Sequence, residues 1–344
     1  QLGFEPGRYE VISPNDHVNR SQSTNDAYST AVRLTVHRLN LSLVAALDRL
    51  SAAMRGKAEA FAAIPKLGRT QLQDAVPMTL GEEFGAYAAT IAEDAARANE
   101  MGALFLEVNL GGTAIGTGLG SSQAYRDAVG PALAEVTGWP VVIAPNLVEA
   151  TWDMGAFVLY SGMLKRTAAK LSKISNDLRL LSSGPHGGLA EISLPPRQPG
   201  SSLMPGKVNP VIPEAINCIA FRVFGHDTTI TFAAEGGQLQ LNAFEPVIIW
   251  SIYEASTLLC RGIDMLIAQC IDGIEANPAI CLHHLQGSTA LATALVPRIG
   301  YRRAAAIAQR AQAVGLAGAV AELEPEHSDF LDEISHDAVR KAGL

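Results

Sequence analysis

No apolar stretch in this 344-residue chain reaches membrane-spanning length without interruption, so neither a transmembrane helix nor a membrane partner is expected. No run of lysine and arginine stands out, and the formal charge is −8. That balance argues against a polyanion-binding surface, and no nucleic-acid-binding module is recognisable. The four cysteines, Cys218, Cys260, Cys270 and Cys281, form no C-x-x-C pair and lie in apolar, helix-like contexts. They read as reduced core thiols of a cytoplasmic protein. The eight histidines lack metal-ligand spacing, and the adjacent His283 and His284 would point different ways on a helix. A phosphate-binding loop is missing too. Asn109 to Gly118 reads NLGGTAIGTG, without the spacing of either nucleotide motif and without a clear preceding strand. Its glycines and threonines read as tight-turn and close-packing residues. Strand-like alternation is scarce. The chain opens on Gln1, with no initiator methionine and no start-like leader, and so reads as a piece of a longer protein.

Apolar residues, by contrast, are plentiful. At 48% hydrophobic and 17% charged, the chain has ample material for a large core in one to three domains. Val32, Val36, Leu39, Leu43, Leu47, Leu50 and Met54 recur in steps of three and four, the stripe of a long helix buried along one seam. A second stripe runs Leu164, Leu171, Ile174, Leu178, Leu181, and a third Ile252, Leu259, Ile263, Leu266, Cys270, Ile274. The segment after Pro213 is also helix-like, with proline near its start, where a missing N–H is harmless. These patterns predict an all-α bundle whose seams continue into neighbouring subunits. A boundary to a smaller C-terminal helical unit is expected at Asn277-Pro278.

Between the helical stretches lie polar loops. Gly200 to Pro210, GSSLMPGKVNP, places two serines, a lysine and an asparagine on one glycine-hinged turn. Hydroxyls and successive backbone N–H groups there can surround developing negative charge, while Lys207 and Asn209 grip a carboxylate. Gln22 to Asp26, QSTND, offers several short donors and acceptors from one turn. The same residues are preferred helix caps, and a helix N-terminus is itself an anion site, so both readings hold at once. Gly68 to Gly81, GRTQLQDAVPMTLG, taken alone is an unremarkable polar loop.

Four blocks carry a resemblance over essentially the whole chain: Ser13 to Tyr28, Gly68 to Gly81, Lys173 to Pro185, and the serine loop. They resemble the aspartase/fumarase superfamily, and among its branches the aspartate ammonia-lyases. Gln71 stands where fumarases typically have histidine, and Glu245 where they usually carry lysine. The resemblance implies a long helical bundle with a small C-terminal helical domain, divided here as a remnant of an N-terminal domain (1–22), the central bundle with the catalytic loops (23–277) and the C-terminal unit (278–344). It implies a homotetramer whose active sites each draw loops from three subunits. The implied reaction is reversible elimination of ammonia from L-aspartate to fumarate without an organic cofactor, with a divalent cation such as Mg2+ admitted only as an activator.

By position, Ser201 matches the general base that takes the β-proton, giving an aci-carboxylate intermediate. Lys207, Asn209 and Thr70 match the residues holding the α-carboxylate. Ser23, Thr24 and Ser202 match those on the β-carboxylate, Asn25 and Gln71 those on the amino group, and Glu214 a supporting glutamate. Gly120 and Gly287 depart from the usual asparagine, and Ser29 from the usual proline. The N-terminal domain of the superfamily, with a further threonine-rich substrate loop, has no counterpart in these residues. Fumarate hydratase, and a non-catalytic structural protein on the same fold, are the alternative readings.

Overall fold

Long helices form where the apolar stripes predict them. In the computed structural model, which describes residues 3–328, α1 (Thr24–Ala60) buries Val32, Val36, Leu43, Leu47, Leu50 and Met54. Each such fully buried leucine contributes about 1.5–3 kcal/mol. The chain then makes β1 (Pro65–Thr70), β2 (Gln73–Thr79), α2 (Leu80–Gly102), β3 (Glu107–Val108), α3 (Gln123–Thr137), β4 (Val142–Ile143) and α4 (Leu147–Trp152). There follow α5 (Gly155–Leu181), β5 (Ile192–Ser193), α6 (Val211–Glu235), α7 (Glu245–Gln269), β6 (Glu275–Ala276), α8 (Pro278–Gly287), α9 (Leu291–Ile299) and α10 (Tyr301–Leu323). The fold is all-α in character. The second stripe lies buried in α5. The third is buried throughout, but α7 ends at Gln269, so Cys270 and Ile274 fill the core from the turn beyond it.

The described residues cluster into two compact units. The first comprises residues up to Ala46 with Glu93–Ala169 and Cys218–Arg261, and the second Leu47–Ala92, Lys170–Asn217 and the chain from Gly262 onward. In the first unit, buried polar pairs set the alignment of its helices. Thr167 of α5 donates to the fully buried Asp94 of α2 at 2.9 Å, and Ser161 of α5 donates to Asp227 of α6 at 2.8 Å, a carboxylate that the exposed Lys165 reaches from outside. An unpaired polar group in such a seam costs more than the pair yields, so these contacts specify one alignment.

The second unit holds the main departure from the sequence reading. Gly68 to Gly81 is not a loop but the greater part of an antiparallel hairpin, β1–β2, with Gln71 and Leu72 at its tip. Both tip residues have positive φ, 53° and 63°, the conformation of a two-residue turn that matches strand twist. Pro77 pairs opposite Leu67, tolerated because a two-stranded ribbon has only edges. Gly68 sits at the register shift, where a Cβ would meet the Val76 carbonyl at 2.9 Å. Leu67 anchors the hairpin in a cluster with Leu285, Leu291, Leu295, Ile299 and Ile307 of α8 to α10. Residues 329–344 of the expected C-terminal unit, His336 among them, lie outside the described residues, as do Gln1 and Leu2. No helix of the described residues is long and apolar enough to cross a membrane.

Candidate active site

In the first unit, Ser23 caps α1. Its Oγ accepts from Asn25 N at 3.2 Å, and Asp26, three residues on, reaches back to Ser23 N–H at 2.8 Å. This is the reciprocal arrangement of a capping box. Asp26 is fully buried, and its other oxygen accepts the N–H groups of Gly111 and Thr113 at 3.1 and 2.9 Å. The glycine-rich turn is therefore an anion nest already filled by the chain's own carboxylate, in keeping with its reading as a packing element. Asn109 extends the clamp by donating to the Asn25 carbonyl at 2.9 Å.

Asn25 donates its side-chain N–H to the Ala114 carbonyl at 2.8 Å. With Nδ2 committed, the amide presents Oδ1, an acceptor suited to an ammonium group. Thr24 is exposed and Ser23 half-buried. These three residues share one turn at a helix N-terminus, where backbone N–H groups and the helix dipole favour anions.

Thr70 and Gln71 occupy the exposed tip of the hairpin in the second unit. Also in that unit, the serine loop closes on itself. Gly200 N–H donates to the Lys207 carbonyl at 2.9 Å, and Asn209 Nδ2 donates to the Gly200 carbonyl at 3.1 Å. Gly200 is required by this approach, since a Cβ there would lie 2.4 Å from the Lys207 oxygen. Inside the turn, Ser201 Oγ accepts from both Leu203 N and Met204 N at 3.1 Å. Two backbone dipoles thus face the hydroxyl, the arrangement that stabilises an alkoxide. Ser202 and Lys207 are exposed, Asn209 is half-buried, and Glu214 sits half-buried in the first turn of α6.

Two buried carboxylates organise these units in ways that the sequence did not reveal. Asp26 carried one usable signal, its place three residues after a capping serine. Glu191 carried none. It is fully buried and joined to Arg69 at 2.7 Å, His284 at 3.0 Å and Lys66 at 3.0 Å. Burial pushes its carboxyl up, but Lys66 together with hydrogen bonds from His284 and Arg69 outweighs this and holds it below the ordinary value.

Ser29, the departure from proline, also has a role in the first unit. Its hydroxyl donates to Glu245 at 3.0 Å, a bond proline could not make. Burial raises the Glu245 carboxyl, while Ser29 and then Arg33 pull it back. Arg33 lies over the Phe157 ring at 5.5 Å.

Glu324, Glu326 and His327 bring three donor atoms within 4.8 Å of one another. Arg303 already ion-pairs Glu324 through two nitrogens and lies 3.9 Å from Glu326, so this group does not fit a resident cation.

Known proteins resemble this chain along its length. The family model described as Lyase matches residues 2–225. An aspartate ammonia-lyase from Pseudomonas canavaninivorans is 54% identical over the whole chain, which spans 72% of that relative. A crystal structure of a fumarate lyase:delta crystallin from Brucella melitensis, bound to cobalt, superposes with a TM-score of 0.93 at 53% identity. It is covered over 75% of its length by all of this chain. A class II fumarase from Schistosoma mansoni superposes at 0.89 with 32% identity, over 96% of this chain and 72% of that one.

Proposed function

We propose, from the premise that this chain belongs to the lyase family, that it is a carbon–nitrogen lyase converting L-aspartate to fumarate and ammonia. The observation that carries the reading is Ser201 Oγ held under two N–H donors, in a chain 54% identical along its length to an aspartate ammonia-lyase. The greater identity to that relative than to the class II fumarase supports ammonia over water as the leaving group.

In the proposed mechanism Ser201, as alkoxide, takes the β-proton of aspartate. The C–H electron pair moves onto the β-carboxylate, giving the aci form. That dianion is costly next to an existing negative charge, and hydrogen bonds from Ser23, Thr24 and Ser202 offset the cost. Collapse of the aci form creates the Cα–Cβ double bond and breaks the Cα–N bond, so the ammonium group leaves as ammonia. The proton on Ser201 then returns to ammonia or solvent. Lys207, Asn209 and Thr70 hold the α-carboxylate, and Asn25 Oδ1 and Gln71 accept from the amino group. Glu214 supports the site from α6.

The assembly we infer is a homotetramer with each site completed by loops from three subunits. In its support, α6 leaves Phe221 and Phe232 exposed, and α7 leaves Trp250 and Tyr253 exposed, an apolar surface that subunit contact would cover. A cytoplasmic location agrees with the free thiols of Cys218, which is exposed, and of Cys270 and Cys281, which burial pushes up to about 12 and about 11. The test offers the full-length enzyme L-aspartate and L-malate separately and follows fumarate by ultraviolet absorbance. Fumarate from aspartate alone is expected. Fumarate from malate alone, or from neither, would overturn the reading.

A further inference from the structure

We propose that Glu191 is a positioning residue for this reaction: its buried carboxylate holds the Thr70–Gln71 hairpin in place against the segment that leads into the Ser201 loop. The inference rests on the proposed function and deepens it.

The backbone of Glu191 is held on both sides. Its N–H donates to the Leu181 carbonyl at 2.9 Å, and its carbonyl accepts from Asn277 N at 2.9 Å. Immediately after it, β5 pairs with β6, Ile192 opposite Ala276. Further along, Arg197 Nε donates to the Gln269 carbonyl at 2.7 Å, so the path toward Gly200 is tethered again. The side chain leaves this fixed backbone and takes hold of β1. Arg69 Nη1 donates to Oε1 at 2.7 Å, and Arg69 directly precedes Thr70. Lys66 Nζ stands 3.0 Å from Oε2, an ion pair outside hydrogen-bond alignment, and also pairs with Glu83 of α2. His284 of α8 completes the grip on Oε1 at 3.0 Å and lies 3.4 Å from Arg69.

Stability alone does not account for such a cluster. Desolvating a carboxylate, an ammonium and a guanidinium together costs several kcal/mol per ion, and apolar side chains of equal volume often serve as well or better. What apolar packing lacks is direction. A guanidinium–carboxylate pair has a defined distance and angle, so it fixes where β1 ends and hence where Thr70 and Gln71 begin. Both ends of the lever carry residues assigned to substrate, and Glu191 itself touches neither.

The test compares wild type, Glu191→Gln, Arg69→Lys and the double variant in the full-length enzyme. Two readouts are taken, kcat and KM on L-aspartate per folded enzyme, and amide hydrogen exchange of residues 65–79 and 200–209. A misplacement of about 1 Å costs on the order of 100-fold in rate. Glu191→Gln is therefore expected to lower kcat by about that factor with a smaller change in KM, and to speed exchange in both segments. Arg69→Lys should lower kcat about tenfold, and the double variant should be no worse than Glu191→Gln alone, because both act through one contact. Folded Glu191→Gln enzyme with native kcat and native exchange would overturn the proposal, as would full additivity in the double variant. Should Glu191→Gln not assemble, Arg69→Lys decides: native kcat and exchange refute, and their joint loss supports. A wild-type enzyme inert toward aspartate would remove the proposed function, while the exchange measurements would still decide whether Glu191 holds the two segments.

Discussion

Replacing Gly200 by alanine puts a methyl group where the serine loop has no room. The new Cβ would stand 2.4 Å from the Lys207 oxygen, 2.8 Å from its carbonyl carbon and 3.1 Å from Val208 N. All three are backbone atoms, so no side chain can swing aside. Ordinary contact begins at 3.4 Å, and moving the oxygen out from 2.4 Å to there is a shift of 1.0 Å. That shift breaks the Gly200–Lys207 closure and strains the Asn209 bond to Gly200.

Two such bonds are worth about 1 kcal/mol each, and the loop is largely exposed, so the fold should lose no more than about 2 kcal/mol. Catalysis is more sensitive. Ser201 is the next residue, and a displacement of about 1 Å at the reacting group costs on the order of 100-fold in rate. The assay is kcat on L-aspartate beside the thermal unfolding midpoint, with Gly206→Ala as the control. Gly206 has φ 81° but nothing within 4 Å of its would-be Cβ. Alanine there adds strain of about 1–2 kcal/mol without a forced displacement, and kcat should fall less than tenfold. Native kcat in Gly200→Ala, or equal losses in the two variants, would refute the reasoning.

Ser201→Ala should lower kcat by about 100- to 10,000-fold, the range of a general base, while the unfolding midpoint and assembly stay close to wild type; retained turnover would remove the base assignment. Ser29→Ala should destabilise the fold in a pH-dependent way. Burial raises the Glu245 carboxyl and Ser29 lowers it, so losing the hydroxyl raises it further. A carboxyl raised in the folded state favours folding below its unfolded value, about 4.3, and that contribution is lost as pH climbs through the folded value. The deficit of Ser29→Ala should therefore be small near pH 4 and grow to about 1.5–3 kcal/mol toward neutrality. Urea denaturation at both ends of that range checks it, and a deficit independent of pH would show that Glu245 is not involved.

The long helices were legible because their signal is local and repeated. Val32 to Met54 keeps one apolar face along the middle of α1, buried at every predicted position but the half-buried Leu39. The shape of the serine loop was legible for another reason: Gly200, Ser201, Lys207 and Asn209 lie within one short turn closed by its own hydrogen bonds, so composition and geometry nearly coincide. The hairpin was hidden. Its tip, Gln71-Leu72, lacks the Asn-Gly or Gly pattern that announces such turns, and both residues adopt positive φ against their own preference. The packing of Leu67 among the residues of α8 to α10 accompanies that conformation, and nothing near Leu67 in sequence reports it.

What the sequence determined by itself was therefore the helical class, the buried faces and the polar composition of the loops between the helices. Those properties depend on neighbours within a few positions. Tertiary structure decided which carboxylates are spent on the protein itself. Asp26 fills the glycine nest from 85 residues away, and Glu191 meets Arg69 across 122 residues and His284 across 93. A buried charge takes its meaning from the partners that replace its water, and here those partners arrive from distant parts of the chain only once it has folded.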